Sequence, residues 1–421
     1  MHKIKEFIRM VSILAGAILV GALALIVIYA FPTGRFKDNV AKSSYIFDIE
    51  EAYPEAIPGY AFTRLDNFTD SIMLGIAMYN GDEDIGEKAM ANYRMVSDEL
   101  GIVKSTTHYA NDVKEEFYRQ SYERYWHGYL VILKPLLAFF TYGEIRILNG
   151  LFQLTMSILN LKAMRESRVK KYIPAYVAAF LFMNPAAVFL SLQYSTIYNI
   201  LLIVIFLWLN LLKGNRLSQQ NVTILFLISG CITSYLDFLT YPIVVVGVLT
   251  ILSINTLGGH LENVLLTFKN IIYWGIGYVG MWAGKWLVGS LILKENLFED
   301  AIRQFKLRSS YGIGEKGNRL DAIMENIEVC GDWIFIFVII LFVIYAIFVF
   351  YKNRIKVEKK HLGEILMYGI VSLMPFAWML LASNHSEVHA WFVYRGMSVT
   401  VLALICMFLF VRENCSISCE K

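Results

Sequence analysis

Two carboxylates four residues apart, Asp66 and Asp70, open the most chemically loaded stretch of the chain. On a helix that spacing puts both on one face, where repulsion raises one of the two pKa values, as suits a proton acceptor or donor. Asp66 reads equally as an ordinary helix cap, and Asp70 as part of a solvated helix face. Arg64, Asn67, Arg124, Tyr125, Trp126 and His127 share this region. A second concentration lies at 383–395, where His385, Glu387, His389 and Arg395 fall within thirteen residues. Arg395 heads an apolar run, where a guanidinium either grips a phosphate bidentately or snorkels as an anchor. His385 and His389 are four apart with Glu387 between them, a spacing a metal can use. There is neither an HExxH pattern nor a third obvious ligand nearby, so hydrogen bonding to a phosphate or sugar is the stronger expectation.

Three more positions stand out. Lys285 lies inside an apolar run, and a cation at that depth is costly enough to mark a functional site by default, with snorkelling as the alternative. Asp237 falls at the end of an apolar run, placed to pair with a cation or hold a sugar, and Arg146 is placed to pair with a loop carboxylate. The acidic run at 81–84 reads as a solvated turn, with a divalent cation as the alternative.

The elements that must position these groups are written in the hydropathy. Of 421 residues 57% are hydrophobic, and the mean hydropathy is +0.51, above the apolar share of soluble domains. Residues 13–29, 172–212 and 333–351 carry no charge. Runs of that kind span hydrocarbon as helices, because lipid offers the backbone no hydrogen bonds. We expect an all-α polytopic membrane protein with about ten spans, at 11–31, 144–164, 172–191, 195–212, 221–238, 240–256, 268–291, 332–351, 363–382 and 396–411. The first is read as an uncleaved span, since no small-residue cleavage site follows it.

Basic residues then fall on one side: Lys3, Lys5 and Arg9; Arg165, Arg168, Lys170 and Lys171; Lys213 and Arg216; Lys269; Lys352, Arg354, Lys356, Lys359 and Lys360; Arg412 and Lys421. Short basic loops stay cytoplasmic, so both termini are expected inside a cell membrane. The apolar segment 129–142 is too short to span and is placed on the outer face. The resulting division is a first span (1–31), a large outer loop (32–143), spans two to seven (144–291), a second outer loop (292–331), and spans eight to ten with a short tail (332–421).

Within the first loop, helices are expected over 66–80, 92–100 and 111–125, punctuated by Gly81, Gly86 and Gly101. Ile72, Met73, Ile76 and Ala77 form the apolar face of the first, and such helices lie along a membrane surface. Trp126 and Tyr129 suit a headgroup belt. Five scattered cysteines, at 231, 330, 406, 415 and 419, give no disulfide framework. No basic tract interleaved with aromatics appears, so nucleic acid is not an expected partner.

The layout resembles the GT-C superfamily of membrane glycosyltransferases, which use polyprenyl-phosphate sugars. The resemblance in layout covers roughly the first 290 residues. The motifs that carry it are Leu65-Asp66-Asn67 through Leu74, then Tyr125-Trp126-His127-Gly128-Tyr129-Leu130 with Lys134-Pro135-Leu136-Leu137, then Gly143-Glu144-Ile145-Arg146 entering the second span. The chain departs from the family in having Asp-Asn rather than Asp-Glu and Gly-Tyr after His127 rather than Pro-Pro, and in lacking a large soluble C-terminal domain. The resemblance implies transfer of a sugar to a glycan, lipid or protein acceptor on the outer face. Asp66 would be the general base, with Asp70 second. Arg395, Lys285, His385, His389 and Arg64 would hold the donor phosphate, and His127, Asp237, Glu387 and Tyr194 the sugar or acceptor. The one cofactor the resemblance admits is a divalent cation, which some relatives need. A Wzy-like polysaccharide polymerase and a transporter or flippase of lipid-linked sugars are the rival readings.

Overall fold

The computed structural model describes residues 2–257, 261–309, 318–330, 332–352 and 357–415. Arg354, Lys356, Cys419 and Lys421 lie outside the described residues. The chain is almost wholly helical, and β1 (Arg94–Val96) and β2 (Tyr118–Gln120) form the one sheet among the described residues. Among the described residues, five helices are long and apolar enough to cross a membrane: Ile4–Tyr29, Leu192–Lys213, Val264–Leu293, Lys359–Leu381 and Ala390–Asn414. Ile243–Leu257 and Phe337–Lys352 are shorter apolar helices. The fold is that of an all-α membrane protein.

After α1 (His2–Tyr29), the segment expected as the outer loop contains α2 (Gly34–Ala41), α3 (Ser44–Glu50), α4 (Asn67–Met78), α5 (Ile85–Ala91), α6 (Ile102–Ala110) and α7 (Leu130–Leu137). These pack on one another and on the ends of the bundle helices around Leu74, Ile76, Met90, Leu130 and Tyr142. The expected helix at 66–80 forms, but it is buried on nearly every side rather than lying on a surface. The helices expected at 92–100 and 111–125 do not form. Asn92 turns left-handed (φ 50°) and ends α5, and Met95 pairs with Arg119 across the antiparallel β1–β2 ladder. Short apolar runs fit either period, and the ladder partner, twenty-odd residues away, decides between them. Trp126 and Tyr129 are buried rather than in a headgroup belt. The Trp126 indole donates to the Met281 carbonyl at 2.6 Å.

The remaining helices are α8 (Tyr142–Arg165), α9 (Ile173–Phe182), α10 (Pro185–Val188), α11 (Leu192–Lys213), α12 (Gln219–Leu236), α13 (Ile243–Leu257), α14 (Leu261–Leu293), α15 (Leu297–Ser309), α16 (Asp321–Val329), α17 (Asp332–Lys352), α18 (Leu362–Leu381), α19 (Ser383–Val388), α20 (Ala390–Val393) and α21 (Ser398–Asn414). A capping box between Thr141 and Glu144 starts α8. Its polarity is inverted relative to a soluble helix: Arg146, Gln153 and Asn160 are buried, while Ile147, Leu151, Leu154 and Ile158 are exposed along one stripe.

The span expected over 172–191 is two pieces. Asn184 takes a left-handed turn (φ 54°) between α9 and α10, and Pro185 supplies no N–H to continue α9. Such a break is tolerated at membrane depth only where protein buries it. Residues 193–194, expected as an outer connection, form the first turn of α11.

Helices α12 and α14 meet backbone to backbone. A Cβ on Gly230 would collide with the Trp274 carbonyl, and one on Gly277 with the Leu227 carbonyl. Small residues allow this approach where lipid gives no hydrophobic drive to helix pairing. Gly277→Leu should therefore separate the pair and cost about 2 kcal/mol or more, in the range of overpacked cores. Thermal unfolding in mild detergent should show a lower midpoint for Gly277→Leu than for Gly275→Leu, whose site has open space around it. Equal midpoints would mean that the close approach is not needed.

Candidate active site

The segment leading to Asp66 is pinned to the bundle by its carbonyls. Asn184 and Tyr394 each donate to Phe62 O at 3.1 Å, and Tyr194 donates to Arg64 O at 3.1 Å. Asp66 then caps α4, accepting from the Thr69 N–H at 2.8 Å. The capping role is real, yet among the described residues no cation pairs with the carboxylate. Burial, reinforced by the charge of Asp70, pushes the Asp66 carboxyl up to about 7. Its charge is felt at Tyr53, Tyr122 and Tyr194, which come from three different parts of the chain.

Asn67 is fully buried. Its amide donates to Glu50 Oε2 at 3.0 Å and to Glu51 O at 2.9 Å, and its oxygen accepts from Arg146 at 2.8 Å. Arg146 also pairs with Glu50 at 2.8 Å. The expectation that Arg146 would pair with a loop carboxylate holds. Glu50, from α3, is a partner that sequence reasoning missed. Seventeen residues separate it from Asn67, and no local pattern links them.

Asp70 is not a solvated face residue. It is fully buried and accepts from Tyr142 Oη at 2.7 Å, Ser191 Oγ at 3.3 Å, Leu192 N at 2.8 Å and Gln193 N at 3.0 Å. Four donors use the acceptor capacity of a carboxylate. Burial pushes its carboxyl up, while the bonds from Tyr142, Leu192 and Gln193 and the charge of Arg146 oppose this. Asp70 thus closes the N-terminus of α11 from 122 residues away, where helix N–H groups and dipole favour an anion. Its geometry is that of a positioning group rather than a proton acceptor.

Arg395 packs on Tyr194, which also feels the charge of Asp66. The guanidinium is fully buried, 4.3 Å from the Tyr194 ring centroid and 4.8 Å from that of Tyr394. Nε donates to Met183 O at 2.9 Å, in the break after α9, and one terminal nitrogen to Trp391 O at 3.0 Å. The other terminal nitrogen has no partner, and among the described residues no carboxylate pairs with the group. A buried cation in that state favours an anion beside it. Tyr194 is fully buried, its carbonyl accepting from Tyr241 Oη. Arg64 is close by but committed: it pairs with Glu55 at 2.7 Å and lies over Trp391.

His385 and His389 stand together, ring centroids 4.8 Å apart. His385 Nε2 meets the Leu239 carbonyl at 2.7 Å. Burial, then His389 and Arg308, holds the His385 imidazole well below its ordinary range. Burial and Arg308 push His389 down to about 4. Both are neutral at pH 7, so they offer hydrogen bonds rather than positive charge. Arg308 was not among the expected residues; it carries one of several basic side chains in an amphipathic helix, and only the fold aims its charge here. After burial and Glu328, the charge of Glu387 raises the Glu325 carboxyl on α16. Among the described residues no group of three or more His, Cys, Asp or Glu side chains is placed to hold a metal. In the acidic run, Glu83 is paired with Arg119.

Three further expected residues are engaged by the protein itself. His127 is buried with φ 55°. Nε2 lies 2.7 Å from the Tyr122 carbonyl, so it carries the proton, and Nδ1 accepts from Tyr129 Oη at 3.1 Å. Gly128 donates to Tyr235 O at 2.9 Å, a bond that proline in its place could not make. Asp237 ends α12 and accepts from the Thr240 N–H at 3.0 Å and from the Thr240 hydroxyl. Lys285 neither snorkels nor faces Arg395. It is fully buried, donates to Met90 O at 2.7 Å and ties α14 to α5.

Two nearly apolar cavities open beside the site. One of about 470 Å³ lies among α4, α7, α8 and α11, lined by Met73, Ile132, Phe152 and Leu192. The other, of about 380 Å³, lies among α8, α9 and α11. Neither is lined by Asp66 or Arg395. Compared with known protein families, curated proteins and solved structures, the chain gives no match.

Two stability outcomes follow from this geometry. Asp70→Ala strands four buried donors, each worth about 1–3 kcal/mol when unpaired, whereas Asp66→Asn keeps an oxygen for Thr69. Thermal unfolding should show a large drop for the first and a small change for the second. Similar midpoints would remove the assigned role of Asp70. Between pH about 4 and about 7 the folded chain holds a proton on Asp66 that the unfolded chain releases. That contribution to stability is full below pH 4 and is lost as pH rises through 7. Asp66→Asn should flatten the unfolding midpoint across this window, and an unchanged slope would place the titration elsewhere.

Proposed function

We propose that the chain is a polytopic glycosyltransferase of the GT-C kind, moving a sugar from a polyprenyl-phosphate donor to an acceptor hydroxyl or amide at the outer membrane face. The observation that carries this reading is the pair formed by Asp66, a buried carboxyl poised near neutrality, and Arg395, a buried guanidinium with an unpartnered nitrogen, whose charges both reach Tyr194. Asp66 takes the acceptor proton. The acceptor oxygen or nitrogen bonds to the sugar's anomeric carbon as the bond from that carbon to the phosphate oxygen breaks. Arg395 meets the charge that grows on the departing polyprenyl phosphate. His385 and His389, both neutral, are available to sugar hydroxyls.

Helix α4 links the chemistry to the lipid. Met73, seven residues after Asp66, lines the cavity among α7, α8 and α11, about 10 Å along the helix at 1.5 Å per residue. That cavity suits the first isoprene units of the donor. Ten spans complete the arrangement: the five long apolar helices with α8, α9–α10, α12, α13 and α17. The inverted polarity of α8 supports counting it, since lipid favours an apolar outer stripe. Both termini are then cytoplasmic, and the substrates are those of cell-envelope glycan assembly. Lys285 would be the natural charge on a transport path, but it is held by the Met90 carbonyl, and this favours the enzyme over the flippase or polymerase.

Native mass spectrometry on detergent-purified protein should find polyprenyl phosphate or its sugar conjugate bound to wild type and to Asp66→Asn, and lost from Arg395→Gln. With a matched donor, Asp66→Asn should lower turnover about 100-fold or more. Wild-type turnover should rise with pH to a plateau above about 7. Full activity in Asp66→Asn would end the assignment of the base, and failure of wild type to retain added polyprenyl phosphate would end the donor.

A further inference from the structure

A separate cavity lies at the far end of the bundle, remote from the outer segment. Helix α1 runs 28 residues from it to Tyr29, about 40 Å at 1.5 Å per residue. The cavity, of about 290 Å³, sits where α1, α12 and α14 converge. Lys5, Arg9 and Lys269 line it against the single carboxylate of Glu6. Glu6 is engaged within the protein: it pairs with Lys269 and accepts from Tyr273 Oη at 2.9 Å. Lys5 and Arg9 are exposed and, among the described residues, carry no ion pair. Gln219 and Gln220 add amide donors along the rim.

The flanks of the cavity are apolar and face outward. Ile4, Phe7 and Ile8 on α1 and Leu265, Phe268 and Ile272 on α14 are all exposed large hydrophobic residues. In a helix long and apolar enough to cross a membrane, these are the residues that meet acyl chains. A ligand in the cavity thus has its polar part among three cations and its apolar part along α1 and α14. Liquid water takes about 30 Å³ per molecule, so the volume exceeds what a lone phosphate fills and admits a glycerophosphate head. Basic pockets between membrane helices select anionic lipid headgroups by this combination of charge and depth.

We infer that the α1–α12–α14 cavity binds the phosphodiester headgroup of an anionic glycerophospholipid, with Lys5 and Arg9 as its free cations and Lys269 held in place by Glu6. The site is independent of the glycosyltransferase reading and stands or falls without it. Its lipid would clamp the start of α1 to α14, the helix that carries Lys285.

The test uses the full chain in detergent and native mass spectrometry, with phosphatidylglycerol and phosphatidylcholine titrated separately. Wild type should retain one phosphatidylglycerol well above phosphatidylcholine. Each basic residue near an anionic surface contributes about fivefold in affinity, so Lys5→Gln with Arg9→Gln should weaken retention about twentyfold. That double variant leaves the Glu6–Lys269–Tyr273 contacts intact, and an unchanged unfolding midpoint without lipid will show that it is folded. Lys269→Arg should retain the lipid. Equal retention of the two lipids, or undiminished phosphatidylglycerol binding in the folded double variant, overturns the site. Displacement of phosphatidylglycerol by millimolar inorganic phosphate identifies a phosphate-ion site and overturns the lipid assignment.

Discussion

The carboxylate of Asp70 at the head of α11 is the interaction on which the rest of the molecule depends. A 22-residue apolar helix begins there with N–H groups that lipid cannot satisfy. Asp70 accepts two of them, and Tyr142 and Ser191 complete its coordination. One side chain thereby joins the outer segment, the start of α8 and the start of α11. Because Asp70 is one turn from Asp66 on the same helix, the bond that anchors α4 also sets where Asp66 lies relative to the bundle. The two carboxylates that look alike in sequence are divided by environment. Four donors surround Asp70, while Asp66 has the Thr69 cap and no cation.

Arg395 does a related job from the other end of the chain. The break after α9 frees the Met183 carbonyl, and the guanidinium takes it, as suits a cation at a helix C-terminus. Two of its nitrogens hold protein carbonyls and one holds nothing. The same residue therefore stabilises an interrupted helix and presents charge beside Tyr194. A lysine could not do both, since the fork geometry of the guanidinium is what divides its donors between tasks.

The membrane sets the pattern of the other helices. Exposed apolar stripes on α8, α14 and α17 face outward, and polar side chains turn inward, Asn160 donating to the Leu202 carbonyl and Gln153 to Asn149. Glycines at the α12–α14 contact bring backbones together where hydrophobic burial offers no gain. The basic cavity at the start of α1 follows the same rule in reverse, with cations gathered where the helices leave the hydrocarbon.

By itself the sequence determined that this is a helical membrane protein, that its first long connection contains a helix, and that Asp66 opens it. These are properties of short windows, because hydropathy runs and helix caps are set by neighbours in the chain. It also pointed to Arg395 and to the pairing of Arg146 with a loop carboxylate. Only the tertiary structure decided that Asp70 is a long-range cap, that Asn67 joins Glu50 and Arg146, that the charge of Glu387 reaches Glu325, and that Lys285 is held by a backbone carbonyl. Each of those outcomes rests on a partner seventeen or more residues away, most of them on another helix. The β1–β2 ladder and the break at Asn184 belong to the same class: local propensity left them undecided, and burial against distant elements chose.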